Sequence, residues 1–247
     1  MSAQGNIILA IVEGPSDANA LVDPLSKLLR NSQLRDLIAD GDITLRYLYA
    51  KSHPGMTGSN MEKVMTKLID ADIKRRHVYV RNDVTAVVQI LDLDGAFVPD
   101  GHVSQDERLK KRRYTENSIL TPNAMETIRQ NHEKQKNIRS LISMKDIRLG
   151  RRNVPFHPFY MSRNLEHVIW DKKQQLEPED KSACAKRAFR RYVQHPEELL
   201  DLLRSPEVMH GFKSFEESWN WPQVADNSLA RGSNLGFLLD VLNPQNM

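Results

Sequence analysis

Three acidic residues, Glu13, Asp92 and Asp94, carry the chemistry this sequence suggests first. Glu13 follows a six-residue apolar run, Ile7 to Val12; Asp92 follows the run VTAVVQIL, Val84 to Leu91, and Asp94 lies two positions on. Mg2+ prefers hard oxygen ligands in octahedral geometry and keeps several waters. Two or three carboxylates beside a phosphate hold one such ion. Two ions about 3.5–4 Å apart stabilise both the attacking and the leaving oxygen of phosphodiester cleavage. Without a cation, clustered carboxylates repel and raise one another's pKa, so a meeting of these three argues for Mg2+ or Mn2+. Taken alone, an Asp-x-Asp pair after a strand is commonly a turn or a cap, and Glu-Gly at a strand end is equally weak. The combination gains weight because both fall on one expected sheet edge.

That edge requires two neighbouring strands. Ile7 to Val12 is continuously apolar and β-branched, as in a strand buried on both faces of a parallel sheet. Glu13-Gly14-Pro15-Ser16-Asp17 breaks it, with Ser16 the expected N-cap of a helix whose apolar face is Ala18, Leu21, Val22, Leu25, Leu28 and Leu29. Pro24 should kink that helix or start a second one capped by Asp23. Ile43 to Tyr49 reads as the second strand, Asn60 to Ile73 as a helix, and Val84 to Leu91 as the third strand. The β-α-β-α-β order predicts right-handed parallel connections and a doubly wound sheet. Ligands of such sheets bind beyond the carboxyl ends of the strands, where Glu13, Asp92 and Asp94 would stand. Gly95 then frees the backbone to turn away.

Residues 1–170 read as the core, with a polar, basic insertion at about 96–152, and 171–247 as a helical C-terminal extension. The insertion holds a helix over Asn123 to Ile142. Val154 to Met161 reads as an edge or irregular strand because of Pro155 and Pro158. Asn164 to Trp170 looks helical. The extension has three candidate roles: covering one sheet face, joining copies into a homo-oligomer, or gripping substrate.

The chain has 247 residues and a net charge of +3, so it is not basic throughout. A nucleic-acid partner would need local patches. Arg108, Lys110, Lys111, Arg112 and Arg113, with Arg148, Arg151 and Arg152, could track a phosphate backbone by counterion release; a solvated charge run explains them equally well. Loop amides between Lys51 and Asn60 could cradle a phosphate at the next helix N-terminus, with Lys51 or His53 meeting it, although an ordinary connection is the favoured reading. No Walker A loop, G-x-G-x-x-G, H-E-x-x-H or G-x-S-x-G motif is present. Cys184 is the only cysteine, which excludes an internal disulfide or a Cys-rich zinc site and fits a reducing cytosol. The N-terminus has no basic leader and its apolar run is too short for a signal peptide or membrane span. A cytoplasmic protein without membrane contact is expected.

The pairing of VEGPSD (Val12 to Asp17) with LDLDG (Leu91 to Gly95) resembles the TOPRIM domain. That domain is shared by topoisomerases, bacterial primases, recombination-repair proteins, small maturation ribonucleases and the overcoming-lysogenization-defect nucleases. The resemblance covers roughly residues 7 to 95. It implies an α/β fold with a TOPRIM-like doubly wound parallel sheet, helices on both faces, a Glu13 that serves as metal ligand or general acid/base, and metal-binding Asp92 and Asp94. In the overcoming-lysogenization-defect nucleases the acid four residues after the glutamate also helps bind metal, and Asp17 occupies that place. Asp17 could equally sit in a first helical turn and favour its dipole. The stretch HPFYMSRNLEHVIW, His157 to Trp170, is similar to small TOPRIM-like proteins of bacterial defence loci, which makes Glu166 a candidate ligand as well as a candidate surface acid; His167 reads as structural.

A topoisomerase would need a nucleophilic tyrosine on a separate domain, and a primase a zinc module that one cysteine cannot build. What the resemblance implies is therefore a Mg2+- or Mn2+-dependent nuclease acting on DNA or RNA, in anti-phage defence, with an ATPase partner encoded elsewhere. Two other expectations stand beside it: a non-catalytic TOPRIM-like module that holds a nucleotide or a partner, and nucleotidyl transfer.

Overall fold

Strands rich in apolar residues need cover on both faces, and here they form the middle of the sheet. A computed structural model describes residues 6–29, 32–54, 60–173 and 176–243. The chain starts with β1 (Ile7–Val12), followed by α1 (Pro15–Asp17), a π-helical stretch (Ala18–Val22) and α2 (Asp23–Leu28). Next come β2 (Gln33–Ile38), α3 (Arg46–Ser52), α4 (Met61–Arg76) and β3 (Val84–Asp92). Three short strands follow, β4 (Val103–Gln105), β5 (Arg113–Tyr114) and β6 (Ile119–Thr121), then α5 (Ala124–Ser143), β7 (Asp146–Leu149) and β8 (Arg152–Met161). The rest is helical: α6 (Leu165–Trp170), α7 (Pro178–Tyr192), α8 (Pro196–Leu203), α9 (Pro206–Met209), α10 (Phe215–Ser218) and α11 (Leu238–Leu242).

The main sheet has the order β2-β1-β3-β8-β7. Its first four strands are mutually parallel, and β7 closes it antiparallel to β8. Alternation along the strands splits the core in two. Leu9, Ile11, Val87, Leu91 and Tyr160 face α4 and α5 through Met65, Ile69, Ile138 and Leu141. Ala10, Val12, Val88, Ile90 and Phe159 face the helices that carry Leu21, Leu25, Val168, Ala188 and Leu199. The fold is α/β, with helices on both faces of a mixed sheet. The C-terminal stretch joins both cores, Trp219 on the first face and Leu235 and Leu238 on the second. A small sheet, β4-β6-β5, rests on Val98, Val103, Ile119 and Leu229.

Four expectations need correction. The second strand is Gln33–Ile38, and the stretch Ile43 to Tyr49, expected to be strand, instead leads into the helix Arg46–Ser52. Strand β2 lies at the sheet edge, where a half-polar QLRDLI is tolerated and Asp36 pairs with Arg76 at 2.7 Å. The apolar residues that imitated a strand are buried for another reason: Ile43 and Tyr49 pack into the first core, and Tyr49 donates to the Ala39 carbonyl at 2.6 Å. Secondly, β8 lies inside the sheet. Phe156 N–H donates to the Lys145 carbonyl (2.8 Å) and Tyr160 N–H to Asn234 Oδ1 (2.9 Å). Alternation puts the missing donor of Pro158 on that same side, past the end of β7, while Pro155 precedes the register with β3, which begins at Val87–Phe156. Thirdly, Gly14, not Ser16, caps α1. Fourthly, Asp23 is itself helical, and the turn before Pro24 widens to π geometry, which relieves the missing N–H without a break. Among the described residues no helix is long and apolar enough to cross a membrane. Residues 55–59, which include the glycines of the Lys51–Asn60 loop, lie outside the described residues.

After β3 the chain reverses through two left-handed residues, Asp94 (φ 51°) and Gly95 (φ 68°). A Cβ on Gly95 would meet Leu229 Cδ2 at 2.8 Å and Ile119 Cδ1 at 3.2 Å. Gly95→Ala combines a left-handed cost of about 1–2 kcal/mol with overpacking of similar size. A loss of roughly 2–3 kcal/mol is expected in denaturant unfolding, and no measurable loss would contradict this account of the turn.

Candidate functional site

Sheet register decides which side chains meet. Ile11 of β1 pairs with Gln89 of β3, and Asp92 of β3 with Met161 of β8. The three strands therefore end together, and the chains leaving them supply the site. Glu13 Oε1 accepts the Asp92 N–H at 3.4 Å. The backbone of Glu13 is tied to the end of β2, its carbonyl accepting the Gly41 N–H at 2.9 Å. Hydrogen bonds continue past β3, from Leu93 N–H to Met161 (2.9 Å) and from Asp94 N–H to the Arg163 carbonyl (3.1 Å). Residues nearly eighty positions apart thus share one rim.

The cluster straddles the sheet end. On the α5 side, Lys134 Nζ lies 2.7 Å from Asp42 Oδ2 and 2.9 Å from Asp94 Oδ2, with only 3% of its side chain exposed. On the other side, Asp17, Asp92 and Glu166 share the field of Lys181 from α7. Asp17 also accepts the Gly14 N–H at 3.1 Å, so it fastens the first helical turn as well as facing the cluster. Glu166 is 4% exposed, and its Oε2 has no hydrogen-bond partner.

Charge balance follows from this geometry. Burial drives the Glu13 carboxyl well above its usual range; Asp42, Asp94 and Asp17 add to the rise and Lys134 opposes it. Asp92 is raised by burial and then by Asp17, Glu13 and Asp94. Asp17 is pushed up to about 6, by burial and by Glu166 against the Gly14 hydrogen bond. Asp94 goes the other way: burial would raise it, but the adjoining Lys134 ammonium holds it below the ordinary value. Burial alone would lower Lys134, yet Asp42, Asp94 and Glu13 together keep it firmly charged. Lys181 stays charged on the same grounds, through Glu166, Asp92, Asp94 and Asp17.

Among the described residues, no three carboxylate, histidine or cysteine side chains stand close enough to ligate an ion as positioned. The donor set nevertheless suits a hard divalent cation. It is all oxygen, three of its members are destabilised as anions, and one buried carboxylate oxygen is unpartnered.

The basic residues divide. Arg112 reaches the crevice, with its guanidinium donating to Gln130 and its charge acting on Asp94. Arg108 is engaged by Asp106 at 2.8 Å and Lys111 by Glu177 at 2.9 Å, both on the surface. Lys110 and Arg113 are exposed nearby, and Lys51 is exposed on α3. Arg151 and Arg152 flank the opposite end of β8, nine residues or roughly 30 Å of strand from Met161.

Asp42, Lys134 and Lys181 were not among the residues that sequence reasoning singled out. A signal for Lys134 exists: Thr127, Asn131, Lys134, Ile138 and Leu141 recur at helical spacing, all buried on one face of α5. A polar half-stripe in line with an apolar one marks a helix that covers a site at one end and a core at the other. Nothing in the local sequence marks Asp42, which the β2–α3 turn delivers. Compared with protein-family models, curated proteins and solved structures, the chain matches none.

Two measurements check the electrostatics. Asp17 holds its proton more tightly folded than unfolded, so its stabilising contribution is complete below the unfolded value and lost as pH rises through about 6. Asp17→Asn should therefore stabilise the protein more at pH 7.5 than at pH 4.5, by about 1–2 kcal/mol after allowance for partial exposure. Equal gains at both pH values would rule this out. Lys134→Met strands two carboxylates and should cost about 3 kcal/mol at neutral pH in metal-free buffer, read by urea unfolding; an unchanged midpoint would refute the assigned role.

Proposed function

We propose that this chain is a TOPRIM-like, Mg2+- or Mn2+-dependent nuclease that hydrolyses phosphodiester bonds of DNA or RNA. The observation that carries the reading is the shared rim: Glu13 bonded to the Asp92 backbone, Asp94 beside them, and the partnerless oxygen of Glu166 behind. Asp92, Asp94 and Glu166, with Asp17 joining, would hold the ion. When bound, such an ion supplies Lewis-acid stabilisation of a phosphoryl oxygen and activates a water for attack. Glu13 has a proton affinity raised by burial, which suits it to exchange a proton at Oε1 with the attacking or leaving oxygen. Lys134 fixes Asp94 as an anion and limits repulsion across the rim. Arg112 would steady a neighbouring phosphate, with exposed Lys110, Lys111 and Arg113 extending the track along the strand. A role in anti-phage defence and an ATPase partner rest on the resemblance to small defence-locus proteins alone.

A second reading has one observation in its favour. The Lys134 ammonium already sits between Asp42 and Asp94, in the position of a cation. On that reading the acids are neutralised internally and the domain binds a nucleotide or partner without cutting.

Mn2+ titration with end-labelled single-stranded DNA, duplex DNA and RNA separates the two. Cleavage of at least one substrate, reduced about 100-fold or more by Asp92→Asn or Asp94→Asn, is the expected result. Tight binding with no shortening in either metal would favour the non-catalytic module, and product growth dependent on added nucleotide would indicate nucleotidyl transfer.

A further inference from the structure

On the far side of Arg163 from the acidic rim lies a second cavity, of about 420 Å3, formed by β5's exit, α6, the turn after it and the loop through Arg231. The Arg163 backbone accepts from Asp94, and its side chain runs into this cavity's wall beneath Tyr114, whose ring lies 4.8 Å from the guanidinium carbon. The cavity is thus separated from the metal-type crevice by one residue.

Its lining holds three cations, Arg163, Lys173 and Arg231, and three acids, Glu116, Asp171 and Glu207, but among the described residues only Lys173 of those cations is held in an ion pair. Arg163 is 2% exposed; among the described residues it donates to the Lys173 carbonyl, lies over the Tyr114 ring, and has no hydrogen-bond partner at Nε. Arg231 spends Nε and Nη2 on the Val168 carbonyl, at 2.9 and 2.8 Å. Among the described residues neither arginine forms an ion pair with a carboxylate, and a buried guanidinium without one is costly. The acids nearby act on these arginines without pairing with them: Glu116 pairs with Lys173 at 3.1 Å, Asp171 lies 3.8 Å from His167 Nε2, exposed Glu207 feels Arg231 from the rim, and Asp94 acts on Arg163 from the crevice. His167, also 2% exposed, has no partner at Nδ1. Two buried nitrogens from successive turns of chain therefore lie unpartnered in one wall.

We infer that this cavity is a phosphate-monoester subsite, in which Arg163 and Arg231 clamp the dianion and His167 Nδ1 contacts the ester or hydroxyl oxygen. Guanidinium geometry suits a planar pair of phosphate oxygens, and the volume admits one nucleotide. The inference rests on the nuclease reading only for its consequence. A phosphate held one residue from Asp94 places a chain end beside the rim, so the substrate class would be nucleic acid with a phosphorylated terminus. A free nucleotide would present the same group.

The test is calorimetric titration of the full chain in EDTA, which keeps the metal crevice out of the measurement. Adenosine 5′-monophosphate is compared with adenosine, and a 5′-phosphorylated hexanucleotide with its 5′-hydroxyl form. The monophosphate should bind at least ten-fold more tightly than the nucleoside, compete with inorganic phosphate, and lose ten-fold or more with Arg231→Gln, whose side chain is only partly buried. Arg163→Lys, retaining the charge but not the fork, should weaken it similarly, with folding checked by circular dichroism. A phosphate-dependent gain for the hexanucleotide assigns the subsite to chain ends, and a gain for the mononucleotide alone to a free nucleotide; both support the phosphate site. Equal binding of monophosphate and nucleoside, or none at millimolar concentration, overturns it. Asp94→Asn removes a negative charge that acts on Arg163, so phosphate binding should hold or tighten while Mn2+-dependent cleavage is lost, and the two readouts report on different claims.

Discussion

Like charges crowded at one sheet edge set the terms for the rest of this protein. Parallel strands that end in step bring Glu13 and Asp92 into hydrogen-bond range, and the left-handed turn at Asp94 and Gly95 keeps a third carboxylate beside them. In water such neighbours would simply stand apart, but here burial raises the cost of every ionised form. Two helices answer that cost from opposite faces, α5 with Lys134 and α7 with Lys181. The same physics explains why α5 carries a buried polar stripe, Thr127, Asn131 and Lys134, through the half that covers the rim, and Ile138 and Leu141 through the half that covers the core.

The sheet and both flanking layers are closely knit to this edge. The C-terminal stretch supplies Trp219 to one core, Leu235 and Leu238 to the other, and Asn234 and Ser233 to the backbone of β8. Asn234 takes the Tyr160 N–H that a sixth strand would otherwise bond, and the Ser233 hydroxyl donates to the Tyr160 carbonyl at 2.6 Å. The position of Arg163, and with it the spacing between crevice and neighbouring cavity, depends on this late segment. Ser162 N–H donates to the Gly232 carbonyl at 2.8 Å, one residue from Arg231.

How much of this was legible in the sequence varies with how local the cause is. The buried strands at Ile7–Val12 and Val84–Leu91 were plain, because short runs dominated by apolar, β-branched residues have few other uses. Glu13 and Asp92 followed from them, since a parallel sheet fixes which ends coincide. Strand β2 was hidden because an edge strand with one wet face tolerates Arg35 and Asp36, while the apolar residues of 43–49 answer to packing and to the hydrogen bond of the Tyr49 hydroxyl. Lys134 and Asp42 could not be placed from local pattern, as their pairing joins a helix to a turn 92 positions earlier. The prolines of β8 misled for an instructive reason. The rule against proline concerns ladder donors, and both prolines fall where no ladder partner exists on their donor side.

Those prolines have a consequence for how copies of the chain behave in a crowded cell. Where β8 outruns β7, an open flank with regular donors would invite strand-to-strand stacking between molecules. Pro158 deletes the donor there, and Asn234 occupies the next one along. One missing hydrogen at Pro158 and one amide at Asn234 thus leave this flank of β8 without a regular row of donors for a neighbouring molecule's strand to join.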